Sequence, residues 1–208
     1  MSLTALLEGK KVWAENMLDR TLNYVDETNQ KMILVKGSIK IDHFRHYPNQ
    51  FSLYETERDT EEHDQGKKYI YTLFKQKNPL TDVEVIKPEI SRRGDVVIPE
   101  QNLVIEFQCS SISKEEMEER ENDWRKIDYR MLWVFGTENY FHVEDEYYLQ
   151  PCETETKKDI PYSNSICRLK APEQYYLEKY KCLWYFDGSD IYRCIFNCAT
   201  TNFPFGED

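Results

Sequence analysis

Long apolar runs are missing from this 208-residue sequence. No stretch approaches the roughly 18 consecutive apolar residues of a membrane-spanning helix, so no membrane partner is expected. Residues 1–9 lack the basic flank of a signal peptide, which predicts a soluble intracellular protein, cytoplasmic or nuclear. With 40% hydrophobic and 31% charged residues, the composition is that of a folded globular protein.

Cysteine pairs at the spacing of a structural zinc site are also missing. The six cysteines include no CxxC pair, and all except Cys109 lie in the last third of the chain. A zinc site is therefore weakly supported. An intracellular chain of this size does not need disulfides, so reduced, buried thiols are expected.

The sequence also has no excess of positive charge. Lysine and arginine number 27 against 38 aspartates and glutamates, which gives a net charge of −11. Phosphate contacts supply most nucleic-acid affinity, so this balance counts against tight nonspecific binding of duplex DNA. Basic residues nevertheless concentrate in 31–58, whereas the acidic ones concentrate in 113–128 and 138–160. The acidity can therefore lie away from a basic cleft.

The N-terminal part of the chain, residues 1–58, is predicted to be an extension made of a helix and a hairpin. Apolar residues recur at roughly helical intervals over 3–25, which predicts the helix. Residues 31–47 predict a β-hairpin, with a first strand at 32–35 and a return strand at 39–41. The polar residues 48–62 that follow predict a loop.

Residues 59–140 are predicted to form the core of the protein. From Thr60 onwards the pattern predicts a helix, three strands, a second helix and a fourth strand. Thr60 and Ser113 are expected to cap the two helices. This order indicates an α/β domain with a mixed sheet flanked by helices. The four strands are expected at 83–90, 95–98, 103–109 and 131–136.

The remaining residues, 141–208, are predicted to form a β-rich C-terminal extension that is rich in tyrosine. Two apolar, aromatic runs at 183–186 and 191–196 flank Asp187-Gly188-Ser189, which predicts a β-hairpin. Tyrosines in this extension are expected to pack in a core, although base stacking is an alternative.

Two carboxylates stand inside apolar runs that are expected to be neighbouring strands. Asp95 and Glu106 lie on either side of a polar turn at 99–102. Burying a carboxylate is costly unless something compensates it, and a metal ion is a common compensator. An Asp and a Glu on hairpin partners can converge on one Mg²⁺, which indicates metal-assisted phosphodiester hydrolysis. Alternatively, Asp95 caps a turn and Glu106 forms a structural salt bridge with Lys67.

A series of motifs in a fixed order runs through residues 62–136. Its members are His63 and Lys67 in the first helix, Arg93-Gly94-Asp95-Val96, the Ile-Glu-Phe-Gln-Cys-Ser strand at 105–110, Ile112-Ser113, Arg120, and Leu-Trp-Val-Phe-Gly at 132–136. This series resembles the nuclease domain of the competence protein CoiA-like family, a branch of the PD-(D/E)XK nuclease superfamily. The resemblance implies a restriction-endonuclease-like core of order α-β-β-β-α-β.

A second, shorter resemblance concerns residues 42–46. Their sequence, Asp-His-Phe-Arg-His, resembles the His-Phe-x-His element that ends the N-terminal zinc-ribbon-like module of that family. The cysteine pair that usually precedes the element is absent. His43 and His46 are therefore expected to be surface or hydrogen-bonded residues rather than metal ligands.

The resemblance also implies a metal site. Asp95, Glu106 and the main-chain carbonyl of Phe107 are expected to bind Mg²⁺ or Mn²⁺, since these cations prefer oxygen ligands. Glu62 in the first helix is the leading candidate for a third acid. Other candidates for this third acid are Glu61, Glu84 and Glu89.

Catalytic and phosphate-binding residues are expected around that site. Gln108 stands where the superfamily usually has lysine; its carbonyl can orient a water and its amide can contact phosphate. Lys67 or Arg93 is expected to restore the missing positive charge. His63, four residues before Lys67, is a further catalytic candidate. Predicted phosphate contacts are Arg92, Arg93, Ser110 and Ser111, with helix capping as the alternative for the serines.

These observations predict a metal-dependent nuclease that cleaves DNA, with single-stranded and branched DNA among the candidate substrates. A catalytically inactive nucleic-acid or protein binder with the same fold is the main alternative, motivated by the net charge and by Gln108. Cleavage of RNA is another alternative, and a homodimer is left open.

Overall fold

The computed structural model describes residues 2–37, 41–48, 60–140 and 169–195. These residues form an α/β structure with two sheets, one of five strands and one of six. The five-stranded sheet comes from the N-terminal part of the chain, and the six-stranded sheet contains the strands of the predicted core. No helix in the described ranges is both long and apolar enough to cross a membrane.

The N-terminal sheet is antiparallel, with strand order β2-β1-β3-β4-β5. Its strands are short, and the central ones bury Ala5, Tyr24 and Leu34 in a small core of their own. The strands are β1 (Thr4–Leu7), β2 (Lys10–Trp13), β3 (Tyr24–Val25), β4 (Lys31–Val35) and β5 (His43–His46).

The helix predicted over residues 3–25 is wrong, because this stretch forms β1, β2 and β3. Glu8 and Gly9 both have positive φ, 52° and 75°, and they reverse the chain between two antiparallel strands. Turns of this kind match the twist of paired strands and outweigh a weak helical periodicity. Leu18, part of the apolar pattern that predicted the helix, is 87% exposed.

The hairpin predicted over residues 31–47 is confirmed in its first strand and wrong in its return strand. Strand β4 contains the predicted residues 32–35, but it pairs with β5, and Val35 lies opposite His43. Ile41 is outside any strand, and 38–40 lie outside the described residues. Residues 49–59, most of the predicted loop, also lie outside them.

The order of elements predicted from Thr60 onwards is confirmed. Thr60 caps the first helix, where its side-chain oxygen accepts a hydrogen bond from the His63 N–H. Ser113 caps the second in the same way, through the Glu116 N–H. The elements are α1 (Glu61–Lys75), β6 (Asp82–Lys87), β7 (Arg92–Ile98), β8 (Leu103–Gln108), α2 (Lys114–Arg125) and β9 (Arg130–Gly136).

The predicted C-terminal hairpin is confirmed, and it continues the sheet of the core. Strand β10 pairs in parallel with β9 and antiparallel with β11, so the six strands run β11-β10-β9-β8-β7-β6. The predicted boundary at residue 140 therefore separates parts of one sheet. The elements after β9 are α3 (Thr137–Tyr140), α4 (Ala171–Tyr180), β10 (Cys182–Phe186) and β11 (Ile191–Ile195).

Helices bury both faces of the six-stranded sheet. Helix α1 covers one face, where Ile70 packs with Ile105 and Phe107. Helices α2 and α4 cover the other, where Trp124 and Trp133 are almost fully buried. The central strand β8 is thus enclosed on both sides, which explains its nearly continuous apolar sequence. A polar side chain on β8 must be buried with it.

Candidate active site

Asp95 and Glu106 lie side by side on neighbouring strands. The antiparallel register of β7 and β8 ends where Val96 lies opposite Ile105, and just beyond it the Phe107 N–H donates a hydrogen bond to the Asp95 carboxylate. The Asp95 N–H in turn donates to the Glu106 carboxylate, and the charge of Asp95 acts on Glu106. Both side chains are about 5% exposed. The two carboxylates are therefore neighbours in a nearly water-free environment.

Asp95 is held in its ionised form by groups around its carboxylate. Its Oδ2 accepts a hydrogen bond from the Phe107 N–H at 2.9 Å and lies 3.1 Å from Nε2 of His63. Burial pushes the pKa of Asp95 up, but the charges of His63 and Lys67 and these hydrogen bonds outweigh burial and lower it. The Asp95 carboxylate thus accepts a hydrogen bond from a main-chain N–H of β8 at the point where the β7–β8 ladder ends.

Glu106 is in the opposite electrostatic situation. Burial and the neighbouring charge of Asp95 together raise the pKa of Glu106 to about 8, against the opposing effect of Arg120. Nη1 of Arg120 lies 3.6 Å from Glu106 Oε2, while Nη2 binds Glu116 at 2.7 Å. Arg120 therefore connects Glu106 on β8 to helix α2. The salt bridge considered between Glu106 and Lys67 is not among the ion pairs of the described residues.

The pair of carboxylates has the donor chemistry of a divalent-cation site. Two buried carboxylates that repel each other, beside a main-chain carbonyl at Phe107, suit Mg²⁺, which is usually held by one or two carboxylates and several waters. In the described ranges, no group of three or more His, Cys, Asp and Glu side chains is arranged to hold a metal. The residues present therefore fit a cation held by two carboxylates rather than a larger ligand cage.

Lys67 is buried rather than presented to a substrate. Its side chain has no exposed surface, and its ammonium group lies 3.0 Å from Glu84 Oε1 and 3.1 Å from Asp64 Oδ1. Asp64 and Glu84 are themselves almost fully buried. The ammonium group also lies close enough to Asp95 to stabilise the charge of that carboxylate. Lys67 thus supplies positive charge from beneath the site.

Glu84 connects the site to the N-terminal sheet. Its Oε2 accepts hydrogen bonds from Ser2 Oγ at 2.7 Å and from Thr4 Oγ1 at 2.9 Å. The Leu3 N–H lies 3.1 Å from both carboxylate oxygens. Glu84 was considered as a third metal ligand, but these donors and Lys67 occupy its oxygens.

Of two further predicted catalytic residues, His63 contacts Asp95, and Gln108 lies two residues after Glu106 on β8. The His63 ring stacks on Phe107, with centroids 5.8 Å apart, and faces Asp95 through Nε2. Gln108 is 2% exposed, and its amide nitrogen donates to the main-chain oxygen of Ser110 at 2.8 Å and to its hydroxyl at 3.0 Å. The protein therefore fixes the orientation of both side chains.

Three other predicted residues have partners away from the carboxylates. Arg92 binds Glu119 at 2.7 Å and Asp123 at 2.8 Å, both on α2, so a phosphate would have to displace these acids. Arg93 lies near Glu27 of the N-terminal sheet. The Glu62 carboxyl lies against Gly136, where an added Cβ would meet its Oε1 at 2.2 Å.

Glu62 accordingly sits near Glu138 rather than beside Asp95. Burial, followed by the charge of Glu138, raises the pKa of Glu62. Ser110 lies beside Gln108, and Ser111 is exposed at the same end of β8. Phosphate binding by the predicted arginines and serines stays a prediction.

The histidines of the N-terminal sheet have hydrogen-bond partners, as expected from the sequence. Nδ1 of His43 lies 2.9 Å from the Ile41 carbonyl. Nε2 of His46 lies 3.0 Å from Asp26 Oδ2, and both side chains are less than one-tenth exposed. Of the cysteines, Cys109 and Cys182 are buried free thiols, as predicted.

The roles of Asp64 and of strand β1 are the part of the site that sequence reasoning missed. Asp64 was recognisable, because it precedes Lys67 by three residues and therefore shares its helix face. Ser2 and Thr4 carry no such signal, because they reach Glu84 across about eighty residues of chain.

Comparison with known proteins identifies the family of this chain. A family model described as "Competence protein CoiA, nuclease-like domain" matches residues 59–192. A protein of Bacillus subtilis (strain 168) named "Competence protein CoiA" is 25% identical over 134 residues, which are 63% of this chain and 36% of that protein. The chain thus aligns with about a third of the length of this relative. No solved structure matches the chain. Since the family model spans well over half of its length, the chain belongs to the family of CoiA nuclease-like domains.

Proposed function

We propose that this protein is a metal-dependent nuclease that hydrolyses phosphodiester bonds of DNA. The observation that carries the proposal is the pair of adjacent buried carboxylates, Asp95 and Glu106, in which the pKa of Glu106 is raised to about 8. Burial and repulsion of this size are costly for a structural role and are typical of functional sites. The name of the matching family, a nuclease-like domain, supports the same reaction class.

The fold supports the proposal as well. The order α1-β6-β7-β8-α2-β9 is the order that the resemblance implies for a restriction-endonuclease-like core. Such a core would present the carboxylates of β7 and β8 to one substrate. We therefore propose that residues 59–140 form a restriction-endonuclease-like core.

Asp95, Glu106 and the Phe107 carbonyl are the groups that would hold Mg²⁺ or Mn²⁺. When bound, such a cation supplies charge neutralisation at a scissile phosphate and an activated water. His63 and the Phe107 N–H fix Asp95 in its ionised form, ready to accept positive charge. Arg120 keeps Glu106 in place and offsets part of its charge. Gln108, oriented by Ser110, stands next to Glu106 on β8 to position water or phosphate.

A cleavage assay with matched variants tests this function. The purified chain is incubated with single-stranded, duplex and branched DNA and with RNA, in EDTA, Mg²⁺ or Mn²⁺. Cleavage is expected with metal only, and Asp95→Asn is expected to lower it by at least 100-fold while circular dichroism stays unchanged. Lys126→Gln, which removes an exposed positive charge at the end of α2, is the control for surface charge. If the wild type cuts none of these substrates with either metal, the catalytic proposal is wrong.

A binding module without catalysis is the second candidate function. Two observations favour it: the net charge is −11, and the lysine available near the site, Lys67, is fully buried between Glu84 and Asp64. Under this alternative, nucleic-acid or protein binding would be insensitive to EDTA and to Asp95→Asn. Fluorescence anisotropy with labelled single-stranded and branched DNA, with and without EDTA, separates the two candidates.

A further inference from the structure

Strand β1 contacts the core at one buried carboxylate that also faces the candidate site. On one side, Glu84 accepts hydrogen bonds from Ser2 and Thr4 of the N-terminal sheet. On the other side, its Oε1 lies 3.0 Å from the ammonium group of Lys67. The Lys67 charge in turn stabilises the carboxylate of Asp95. A chain of polar contacts thus runs from β1 through Glu84 to Lys67, whose charge acts on a candidate metal ligand.

The backbone at Glu84 indicates that this arrangement is imposed by the tertiary structure. Glu84 has φ 51°, in the left-handed region that a residue with a long side chain rarely adopts. The β6–β7 register pairs Val83 with Val96 and Val85 with Gly94, but it omits the position of Glu84 and Asp95 between them. Strain of this kind persists where the surroundings hold it, and it concentrates at functional sites.

We propose that Glu84 is a positioning residue that, held by Ser2 and Thr4, anchors Lys67 beside Asp95 and makes β1 a working part of the candidate site. The inference rests on the proposed function and adds to it a role for the N-terminal sheet. The docking of that sheet then sets the charge around the metal ligands.

The physical basis is that several buried carboxylates share the ammonium group of Lys67. Lys67 lies among three carboxylates, those of Asp64, Glu84 and Asp95, in a region without exposed surface. If Glu84 loses its charge, Lys67 loses one of its ion-pair partners and is no longer held at its place beside Asp95. A mobile Lys67 no longer fixes the position of the neighbouring Asp95 carboxylate, so cation binding weakens.

The test compares Glu84→Gln with Asp82→Asn in the full-length chain. Asp82 lies two residues away on β6 and pairs with Lys11 of the same N-terminal sheet at 2.9 Å, so it controls for weakened docking as such. Binding of Mn²⁺ is measured by titration calorimetry. The exposure of Lys67 is measured independently by acetylation and mass spectrometry, with the neighbouring, partly exposed Lys68 as the internal reference.

We expect Glu84→Gln to weaken Mn²⁺ binding by about tenfold, as is usual when a group supporting a metal ligand is removed. Lys67, protected in the wild type, is expected to become reactive in this variant, and Asp82→Asn is expected to change neither quantity. Unchanged Mn²⁺ binding in folded Glu84→Gln, or an equal change in Asp82→Asn, overturns the inference.

Two outcomes separate this inference from the proposed function. If the wild type binds no Mn²⁺, the proposed metal site is wrong, and the reactivity of Lys67 alone decides whether Glu84 anchors it. If Glu84→Gln does not fold, Thr4→Val removes one donor to Glu84 without changing shape or charge. In Thr4→Val, Mn²⁺ binding is then expected to weaken and Lys67 to become more reactive, each by a smaller factor than expected for Glu84→Gln. If neither quantity changes, the inference is overturned.

Discussion

Replacing Glu106 with glutamine is expected to stabilise the metal-free protein at neutral and alkaline pH. The unfolded chain loses the Glu106 proton near its ordinary pKa of 4.5, whereas burial and Asp95 keep the proton on the folded protein up to a pKa of about 8. Between these values the folded state binds more protons, so the free energy of unfolding falls as pH rises, by up to about 1.4 kcal/mol per pH unit. Glutamine has the same shape and no charge to bury.

The magnitude follows from the pH interval. From pH 5 to pH 8, wild type is expected to lose up to about 4 kcal/mol relative to Glu106→Gln, because glutamine does not titrate. Urea unfolding in EDTA at pH 5, 6, 7 and 8 measures the difference between the two proteins, and the contributions of other titrating groups cancel. The difference in the free energy of unfolding between Glu106→Gln and wild type should be near zero at pH 5 and largest, in favour of the variant, at pH 8.

Glu116→Gln is the matched control for this experiment. Glu116 binds the same arginine, Arg120, but its side chain is 42% exposed, so its removal is expected to change stability by less than about 0.5 kcal/mol at every pH. Added Mn²⁺ should stabilise wild type at pH 8 and not Glu106→Gln. A difference between Glu106→Gln and wild type that is independent of pH, or that favours wild type at pH 8, would refute the reasoning.

Three further substitutions test the packing around the site by urea unfolding. Gly66→Ala should destabilise by about 1–3 kcal/mol, because its Cβ would come within 2.7 Å of the Phe107 ring, and an unchanged midpoint would contradict this close approach. Gly94→Ala should cost a similar amount, because its Cβ would lie 2.8 Å from Trp124. Thr60→Ala should cost about 1 kcal/mol through loss of the α1 cap. Thr60→Ser should restore most of that stability, and equal effects of the two changes would show that the hydroxyl is not the source.

Features with a local physical cause were predictable from the sequence of the core. The caps at Thr60 and Ser113 depend on a side-chain oxygen and an N–H three residues away, and both predictions are confirmed. The apolar run of β8 depends only on burial on both faces. The proximity of Asp95 and Glu106 was also predictable, because a short turn between two strands brings residues at similar distances from the turn close together.

The N-terminal part shows where such reasoning fails. Apolar residues over 3–25 are spaced loosely enough to fit a helix, and the sequence contains no strong alternation to exclude it. Glu8 and Gly9 both have positive φ, which forms the turn of a hairpin and is incompatible with a continuous helix. Strand β4 was predictable from its own residues, whereas its partner β5 was not, because pairing depends on residues beyond the local turn.

Charge compensation inside the site was decided at the tertiary level. Lys67 was expected to restore positive charge at the site, and α1 packs it against β6, where Glu84 and Asp64 surround it. Helical spacing determines which residues share a face, and it says nothing about the group on the opposing strand. The energetic state of Lys67 therefore depends on how the helix docks.

The sequence by itself determined the order of helices and strands in the core and the two carboxylates that meet across β7 and β8, because both follow from short-range pattern and turn geometry. Only the tertiary structure decided the partners of those carboxylates. His63 and Arg120 reach Asp95 and Glu106 from two different helices, and Glu84 brings in a strand from the beginning of the chain. Electrostatic energies in a buried region depend on distances of a few ångströms between groups far apart in sequence, and folding alone fixes those distances.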